Sequence, residues 1–367
     1  MAQKTNGLSR EMIIHPGETL KEVLEDRGMP QLELAQRTGM SPKHISTVIN
    51  GEKDISVAFA RKLAYALGIE AAFWINLQTN YDKEILEYED LNSISEEEAT
   101  VAKSLKEVNT YLTTQKLLSV VSGIPAKIIE LRKLLGVSNL MNIRTLTYNG
   151  AYRAQLSVSI IPEVLFAWQR ICELETEKIE VTEQEDTEQK KKLRELLPQI
   201  KNCMFSAQNN CMRKLSSLFA SCGIAFAVIP AFAGAPVQGF LKRTEQGKTL
   251  LCMTLRKKRA DIFWFTLFHE IGHVLNGDGR QRFIDFESEP GEIETKADTF
   301  AENQLLDKDA YAAFVKSADY SETAINQFAK KQQVLPFIVI GRLQKDGKLR
   351  WSDMAEEIVW YERNVSR

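Results

Sequence analysis

The 367-residue chain is long enough for two or three domains, and its 44% hydrophobic and 26% charged residues are ordinary for a globular protein. A net charge of −2 excludes a generally basic nucleic-acid coat but leaves room for a small DNA-binding face. No apolar run reaches membrane-spanning length and no signal-peptide core is present, so we expect a cytoplasmic protein that does not enter a membrane. The five cysteines lack C-x-x-C spacing, which predicts reduced and mostly buried thiols.

The order of patterns along the chain predicts a mostly α, α+β protein. We divide it into four segments: an all-helical domain over 1–81, a linker over 82–115, a helical middle region over 116–198, and a domain of helices and a small sheet over 199–367.

The first domain contains two short helices joined by a turn, between Gln31 and Gly51. Gly39 lies at the turn, and Ser41 is placed to cap the second helix, with Pro42 at its first position. A glycine in the turn and a short second helix with polar outer positions are what a helix-turn-helix requires. The segment therefore predicts a DNA-binding motif.

Two further helices are predicted over residues 57–67 and 71–81, because apolar residues recur there at helical spacing. We assign Phe73 and Trp74 to the core of the domain. A helical bundle that binds only protein would show the same apolar pattern, and this alternative stays open.

The polar face of the second motif helix suits contacts to base edges and nearby phosphates, and flanking residues suit contacts to the DNA backbone. The expected DNA contacts are Gln31 and Lys53 to the backbone, and Ser41, Pro42, Lys43, His44, Ser46 and Thr47 on or beside the second helix.

This stretch resembles the Xre-type helix-turn-helix family and, within it, the HigA-type antitoxins. The resemblance rests on His15-Pro16-Gly17-Glu18, on residues Gln31 through Gly51, and on Phe73-Trp74-Ile75-Asn76-Leu77-Gln78. It implies a homodimer that binds a palindromic double-stranded DNA operator, often in the protein's own promoter.

The middle of the chain carries no chemical motif. Residues 82–115 are acidic and then mixed, and Glu96-Glu97-Glu98 is typical of a solvated helix start, so we expect the linker here. Apolar spacing predicts helices over 116–135 and 164–172. The charged stretch 173–195 alternates in sign and predicts an exposed helix or loop.

The last domain begins with a predicted helix that ends at Gly223. The apolar run 224–229 predicts a buried strand, and residues 237–242 and 249–256 predict a hairpin. A helix, a small sheet and the motif described next are therefore contiguous in the sequence.

The run His269-Glu270-Ile271-Gly272-His273 has the form H-E-x-x-H. Residues four apart share one face of a helix, so His269 and His273 can bind a single metal ion. Glu270 lies close enough to act as general base on a water beside that ion. The spacing favours a zinc hydrolase, with Zn²⁺ as the cofactor.

A third metal ligand is expected from the helical pattern that begins near residue 292. Glu294 and Asp298 are four residues apart, and we expect Glu294 to complete a His-His-Glu set with the fourth position left for water. Asp298 would hydrogen-bond the outer nitrogen of a ligand histidine and fix its tautomer.

The C-terminal domain resembles the ImmA/IrrE metallopeptidases. The resemblance runs through the strand after Gly223, Val237-Gln238-Gly239-Phe240, the H-E-x-x-H helix, Glu294 to Ala301, and Pro336 through Gln344. It implies His269, His273 and Glu294 as zinc ligands, Glu270 as base, and a narrow protein substrate such as a repressor or antitoxin.

One departure from the family concerns the end of the ligand helix, where Leu305-Leu306 leads into Asp307 instead of a proline step. No histidine follows His273, so a C-terminal histidine is excluded as the residue that stabilises the oxyanion. Tyr311, Tyr320 and Arg342 stay open as candidates for that role.

We therefore expect a transcription regulator whose zinc peptidase domain cleaves a specific regulatory protein in response to a signal. The alternative is a HigA-like antitoxin or repressor whose zinc domain senses a signal or binds a toxin without cutting. Self-cleavage within residues 82–113 is a third hypothesis.

Overall fold

The computed structural model describes residues 9–149, 160–244, 247–278, 283–286 and 292–362, which form seventeen α-helices and one four-stranded sheet. The mostly α, α+β fold class predicted from the sequence is confirmed. The chain divides into two compact units, one of residues 1–103 with 113–140 and the other of 104–112 with 141–367. None of the described helices is long and apolar enough to cross a bilayer.

The first unit begins with five helices, α1 (Pro16–Asp26), α2 (Gln31–Thr38), α3 (Pro42–Ile49), α4 (Val57–Leu67) and α5 (Ala71–Asn92). Ser41 caps α3 as predicted, since its Oγ accepts a hydrogen bond from the His44 N–H at 3.1 Å. Trp74 is buried in the core, whereas Phe73 is 43% exposed. The assignment of Phe73 to the core was wrong, because adjacent helical residues point about 100° apart.

The predicted linker over 82–115 is largely helical. Helix α5 continues to Asn92, and α6 (Glu96–Ser104) and α7 (Lys106–Thr114) follow it closely. The later helix of this unit, α8 (Ile124–Leu135), begins eight residues after the predicted start at 116, and α5 packs against it. The boundaries of the two units differ from the predicted domain boundaries. Packing between α5 and α8 joins residues 113–140 to the unit that begins with the N-terminal helices.

Glu98 holds this part of the first unit together, although its acidic run suggested a solvated helix start. Its carboxylate is fully buried and accepts hydrogen bonds from Arg132 Nε at 2.8 Å and from the Leu140 N–H at 2.9 Å. Burial opposes the ionisation of Glu98, but these hydrogen bonds outweigh it and hold its pKa below the ordinary value.

We expect Glu98→Ala to destabilise the helices α6 and α8 by about 3 kcal/mol, because it leaves the Arg132 cation in a buried site without its partner. Because the pKa of Glu98 is lowered, the stabilisation exists at neutral pH and is lost as the pH falls below 4.5. Amide hydrogen exchange of α6 and α8 measures both effects. The exposed neighbour Glu97 supplies the control Glu97→Ala, which should match wild type. Unchanged protection in Glu98→Ala would contradict the assignment.

The second unit holds the remaining helices and the sheet. Between α7 and the sheet, this unit contains the helices α9 (Asn142–Asn149), α10 (Pro162–Glu177), α11 (Asp186–Asn202) and α12 (Gln208–Ser221). The charged stretch 173–195 is only partly exposed, since Thr176, Gln189 and Leu193 are buried where α10 and α11 pack on the unit's core. All five cysteines are buried and none is joined in a disulfide within the described part of the chain.

The sheet has the strand order β1-β3-β2-β4, with β1 parallel to β3 and the other pairs antiparallel. Its strands are β1 (Ile224–Val228), β2 (Val237–Arg243), β3 (Thr249–Met253) and β4 (Phe283–Phe286). The predicted buried strand and hairpin are confirmed as β1 and the β2–β3 pair. Every residue of β3 is buried, since it lies in the middle of the sheet.

Two helices that follow β3 carry the candidate site. They are α13 (Ala260–Asn276) and α14 (Glu292–Leu305), and the chain ends with α15 (Lys308–Ser317), α16 (Glu322–Gln332) and α17 (Pro336–Lys345). At Gly272 the two site helices approach closely, because an added Cβ would lie 3.1 Å from Ala297 Cα. Small residues at this crossing therefore set the distance between α13 and α14.

Candidate metal centre and DNA-binding surface

Helices α13 and α14 bring His269, His273 and Glu294 together. The two histidine Nε2 atoms lie 2.9 Å apart, and Glu294 Oε2 lies 3.1 Å from His269 Nε2 and 3.7 Å from His273 Nε2. The potential ligand atoms of the three residues all lie within 4.8 Å of one another. One turn of α13 separates the histidines, so the helix itself aligns their rings.

Each ring is oriented by a carboxylate at its other nitrogen. His269 Nδ1 lies 2.8 Å from Asp298 Oδ1, the contact that the sequence suggested for Asp298. His273 Nδ1 lies 2.8 Å from Asp278 Oδ2, a contact that the sequence analysis missed. Gly277 ends α13 with φ of 89°, which turns the chain back so that Asp278 reaches His273.

These contacts decide which nitrogen atoms face the centre of the cluster. When each Nδ1–H donates to its carboxylate, both Nε2 lone pairs point at each other and at the Glu294 carboxylate. Three electron-rich atoms at these distances repel one another unless a cation lies among them. Two imidazole nitrogens and one carboxylate oxygen are a donor set that suits zinc and leaves a fourth position open.

The protonation equilibria show the same demand for positive charge. Burial opposes the ionised form of Glu294, but the hydrogen bonds and charges of the two histidines lower its pKa to about 2. Burial likewise opposes the charged form of His273, yet Glu294, Glu270 and Asp278 together raise its pKa above the ordinary value. The cluster thus favours positive charge, which a proton or a metal ion would supply.

Glu270 directly follows His269 in α13 and is fully buried. Neither of its carboxylate oxygens has a hydrogen-bond partner within the described part of the chain. Burial raises its pKa to about 7, although the nearby histidines lower it. Gly239 of β2 makes room for this carboxylate, because an added Cβ there would lie 1.7 Å from Oε1.

A cavity of about 560 Å³ opens onto His269, Glu294 and Asp298. One wall is apolar, and a polar rim includes Gln238, Lys257 and Lys345. The apolar wall consists of Ile262, Phe265, Leu305, Leu306, Ile338 and Trp351. A volume of this size is in the range of small-molecule and peptide sites.

The three oxyanion candidates differ in position. Arg342 lines the cavity, but its guanidinium is paired with Glu302 at 2.6 Å and Asp346 at 2.9 Å. The Tyr311 hydroxyl donates to Asp346, and the Tyr320 hydroxyl donates to a backbone carbonyl. Neither tyrosine lines the cavity.

The departure from the family at the end of α14, where Leu305-Leu306 leads into Asp307, does not disrupt the site. Leu305 and Leu306 are buried and contribute to the cavity wall. Asp307 caps α15, and its side chain accepts a hydrogen bond from the Ala310 N–H at 2.9 Å. The departure therefore changes the start of the following helix.

On the first unit, most of the expected DNA contacts are accessible. Gln31, Ser41, Pro42, Lys43 and Lys53 are exposed, and Ser46 and Thr47 are half-buried on α3.

His44 differs from these residues. Its ring packs edge-on against Phe59 at 5.0 Å, and its Nε2 is buried without a hydrogen-bond partner among the described residues. The ring therefore contributes to packing between α3 and α4. We leave His44 out of the proposed DNA contacts.

Two family models match the chain. Residues 20–74 match the Helix-turn-helix family, and residues 255–344 match the IrrE N-terminal-like domain. The second span contains the metal cluster, Glu270 and most of the cavity wall.

The curated relatives and solved structures described next match between 18% and 30% of the chain. Virulence-associated protein I of Dichelobacter nodosus is 35% identical over 83 residues, which are 22% of this chain and 76% of that protein. Virulence-associated protein A' of the same organism is 35% identical over 69 residues, 18% of this chain and 60% of that protein.

Two solved structures are also similar. A putative antidote protein of a plasmid maintenance system from Nostoc punctiforme is 34% identical and covers 22% of this chain and 97% of its own, with a TM-score of 0.20. An addiction module antidote protein of a HigA family from Coxiella burnetii is 24% identical and covers 30% of this chain and 97% of its own, with a TM-score of 0.19.

For the metal cluster, we expect one zinc ion per chain in the purified protein. His269→Ala and Glu294→Ala should lose it, because each removes a donor atom, whereas Glu270→Gln should retain it. Asp278→Asn should weaken zinc affinity by about 10- to 100-fold, because it disturbs the orientation of His273. Elemental analysis and chelator competition measure these effects.

The exposed residue Glu292, on the same helix as Glu294, provides the matched control Glu292→Ala, which should bind zinc like wild type. Full zinc occupancy in Glu294→Ala would remove Glu294 from the ligand set.

Proposed function

Because this chain belongs to the helix-turn-helix family over residues 20–74 and carries an IrrE N-terminal-like domain over residues 255–344, we propose that it is a DNA-binding regulator with a zinc peptidase domain. The proposed reaction is hydrolysis of a peptide bond in one specific regulatory protein. The observation that carries this proposal is the buried, unpartnered carboxylate of Glu270 beside the His-His-Glu cluster.

When bound, the metal would supply a Lewis acid for the peptide carbonyl and would acidify a water molecule. His269, His273 and Glu294 would hold it, and Asp278 and Asp298 would keep the two rings in place. Glu270 accepts a proton from the attacking water while the oxygen of that water bonds to the carbonyl carbon. It then delivers that proton to the amine that leaves when the C–N bond breaks.

A general base of this kind works best when its pKa lies near the operating pH. Burial raises the pKa of Glu270 toward that range, and a nearby cation would lower it again. Burial without a hydrogen-bond partner is costly for a carboxylate, and a purely sensing domain would need only the three ligands. This cost supports a catalytic role over the non-cleaving alternative.

The structure disfavours the hypothesis of self-cleavage within residues 82–113. Helices α5, α6 and α7 cover most of this segment, and their backbone amides are engaged in helical hydrogen bonds. A peptidase needs an extended backbone in its site, so cleavage there would first require these helices to unfold. We propose that the substrate is a separate repressor or antitoxin.

The first unit is proposed to bind a palindromic DNA operator as a homodimer, in the cytoplasm where such DNA lies. Its α2–α3 pair presents exposed Lys43 and half-buried Thr47 on the second helix, and Gln31 and Lys53 are exposed beside it. Lysine and backbone contacts would position the protein, and the polar outer face of α3 would read the bases.

For DNA binding, the full-length double variant Lys43→Ala with Thr47→Ala should lose most of its preference for the gene's own upstream DNA over random DNA. One base contact contributes roughly 1–3 kcal/mol, so two should change the preference by at least about tenfold. The matched control is Lys83→Ala with Thr79→Ala on α5. Equal binding of the wild-type chain to the upstream DNA and to random DNA would contradict sequence-specific DNA binding.

The regulatory role can be separated from sensing with a reporter on the protein's own promoter. We expect Glu270→Gln to keep its fold, zinc content and DNA binding but to lose induction, because the amide cannot accept the proton of water and hydrolysis falls by orders of magnitude. His273→Ala should also fail to induce, whereas Glu292→Gln should induce like wild type.

The alternative function, an antitoxin or repressor whose zinc domain senses a signal or binds a toxin, predicts a different pattern. Glu270→Gln would then induce normally, and only the ligand variant His273→Ala would fail. Immunoblots of the chain and of neighbouring gene products before and after induction add a direct readout. Normal induction in Glu270→Gln without any protein fragment in wild type would exclude the peptidase.

A further inference from the structure

Strand β2 carries one extra residue beside the metal centre. Against β4, Val237 pairs with Phe286 and Gly239 pairs with Asp285, so Gln238 has no partner residue of its own. A bulge of this kind takes a side chain out of the regular alternation of the strand, and bulges are over-represented next to active sites.

The bulge places the Gln238 side chain at the cavity that also opens onto His269 and Glu294. Gln238 Oε1 accepts a hydrogen bond from Thr266 Oγ1 at 3.3 Å, and Thr266 lies one helical turn before Glu270. Its backbone carbonyl is also engaged, by the Thr254 N–H at 3.0 Å. Both contacts hold Gln238 in place.

The amide nitrogen of Gln238 is left for a ligand. Its oxygen is used by Thr266, and within the described residues no acceptor lies within hydrogen-bonding distance of Nε2. It is also not enclosed by protein, since it is absent from the buried atoms that lack a partner. A neutral group with two N–H donors thus lies at the wall of the cavity, beside Glu270 and the metal cluster.

We propose that Gln238 Nε2 donates a hydrogen bond to the carbonyl oxygen of the peptide bond that is hydrolysed. The proposal rests on the proposed peptidase function. As water adds to the carbonyl carbon, the C=O π electrons move to the oxygen, and a donor aimed at that oxygen stabilises the growing negative charge. Gln238 would stabilise the oxyanion, a role for which Arg342 is already paired with Glu302 and Asp346, and for which Tyr311 and Tyr320 do not line the cavity.

The adjacent residues of the bulge then have complementary tasks. Gly239 has no side chain, which leaves space for the Glu270 carboxylate, while Gln238 lines the cavity. Two consecutive residues of β2 therefore serve the two groups. Gly239 accommodates the proton acceptor, Glu270, and Gln238 supplies the hydrogen-bond donor.

The test uses the full-length zinc-loaded protein and two probes. A phosphinic tripeptide imitates the tetrahedral, negatively charged intermediate of hydrolysis, whereas acetohydroxamate binds the metal ion without reaching for a carbonyl site. Gln238→Glu keeps the shape of the side chain but removes the donor, and Gln238→Met keeps its length and adds no charge. Gln327→Glu, on the exposed side of α16, is the control for the charge change.

We expect both Gln238 variants to bind the phosphinic tripeptide roughly 10- to 100-fold more weakly than wild type and the Gln327→Glu control. Their zinc content, melting temperature and acetohydroxamate affinity should stay at wild-type values. These last readouts separate a substrate contact from a structural role, which would lower stability or metal binding as well.

Two outcomes would overturn the proposal while leaving the metal centre intact. One is wild-type affinity for the phosphinic tripeptide in Gln238→Met, which would attribute any effect of Gln238→Glu to charge alone. The other is weaker tripeptide binding in Gln238→Met that is matched by a fall in melting temperature, which would make Gln238 a structural residue. A wild-type chain that binds neither zinc nor acetohydroxamate would instead refute the proposed peptidase function itself.

Discussion

The close crossing of α13 and α14 is the constraint on which the candidate metal centre depends. Two of the proposed ligands come from one helix and the third from another, so the cluster exists only when these helices nearly touch. Gly272 and Ala297 allow this approach, since an added Cβ at Gly272 would lie 3.1 Å from Ala297 Cα. A larger residue at either position would move Glu294 away from the histidines.

The charged groups that this helix crossing brings together explain why the site requires a cation. Four carboxylates, from Glu270, Asp278, Glu294 and Asp298, surround two imidazoles in a largely buried site. Such an arrangement is unfavourable by itself, because like charges repel and desolvation penalises ions. A divalent cation would relieve both effects, so the stability of this region should be linked to metal binding.

The sheet contributes to the same site through β2. Gly239 lets the backbone of the strand approach the Glu270 carboxylate. The bulge places the side-chain amide of Gln238 at the cavity. The first unit depends on a comparable long-range pair, because the Glu98 carboxylate joins α6 to Arg132 of α8. In both units, residues far apart in the sequence meet at a buried carboxylate, which is Glu270 in one and Glu98 in the other.

The sequence by itself determined the features that follow from local periodicity. Helical spacing predicted that His269 and His273 share a face, and cap and turn residues predicted the helix-turn-helix with its Ser41 cap. Only the tertiary structure revealed the contact between Asp278 and His273, the bulge at Gln238 and the packing of His44 against Phe59. These depend on how elements pack and pair, and a helical or alternating pattern carries no information about which distant residue fills the space opposite it.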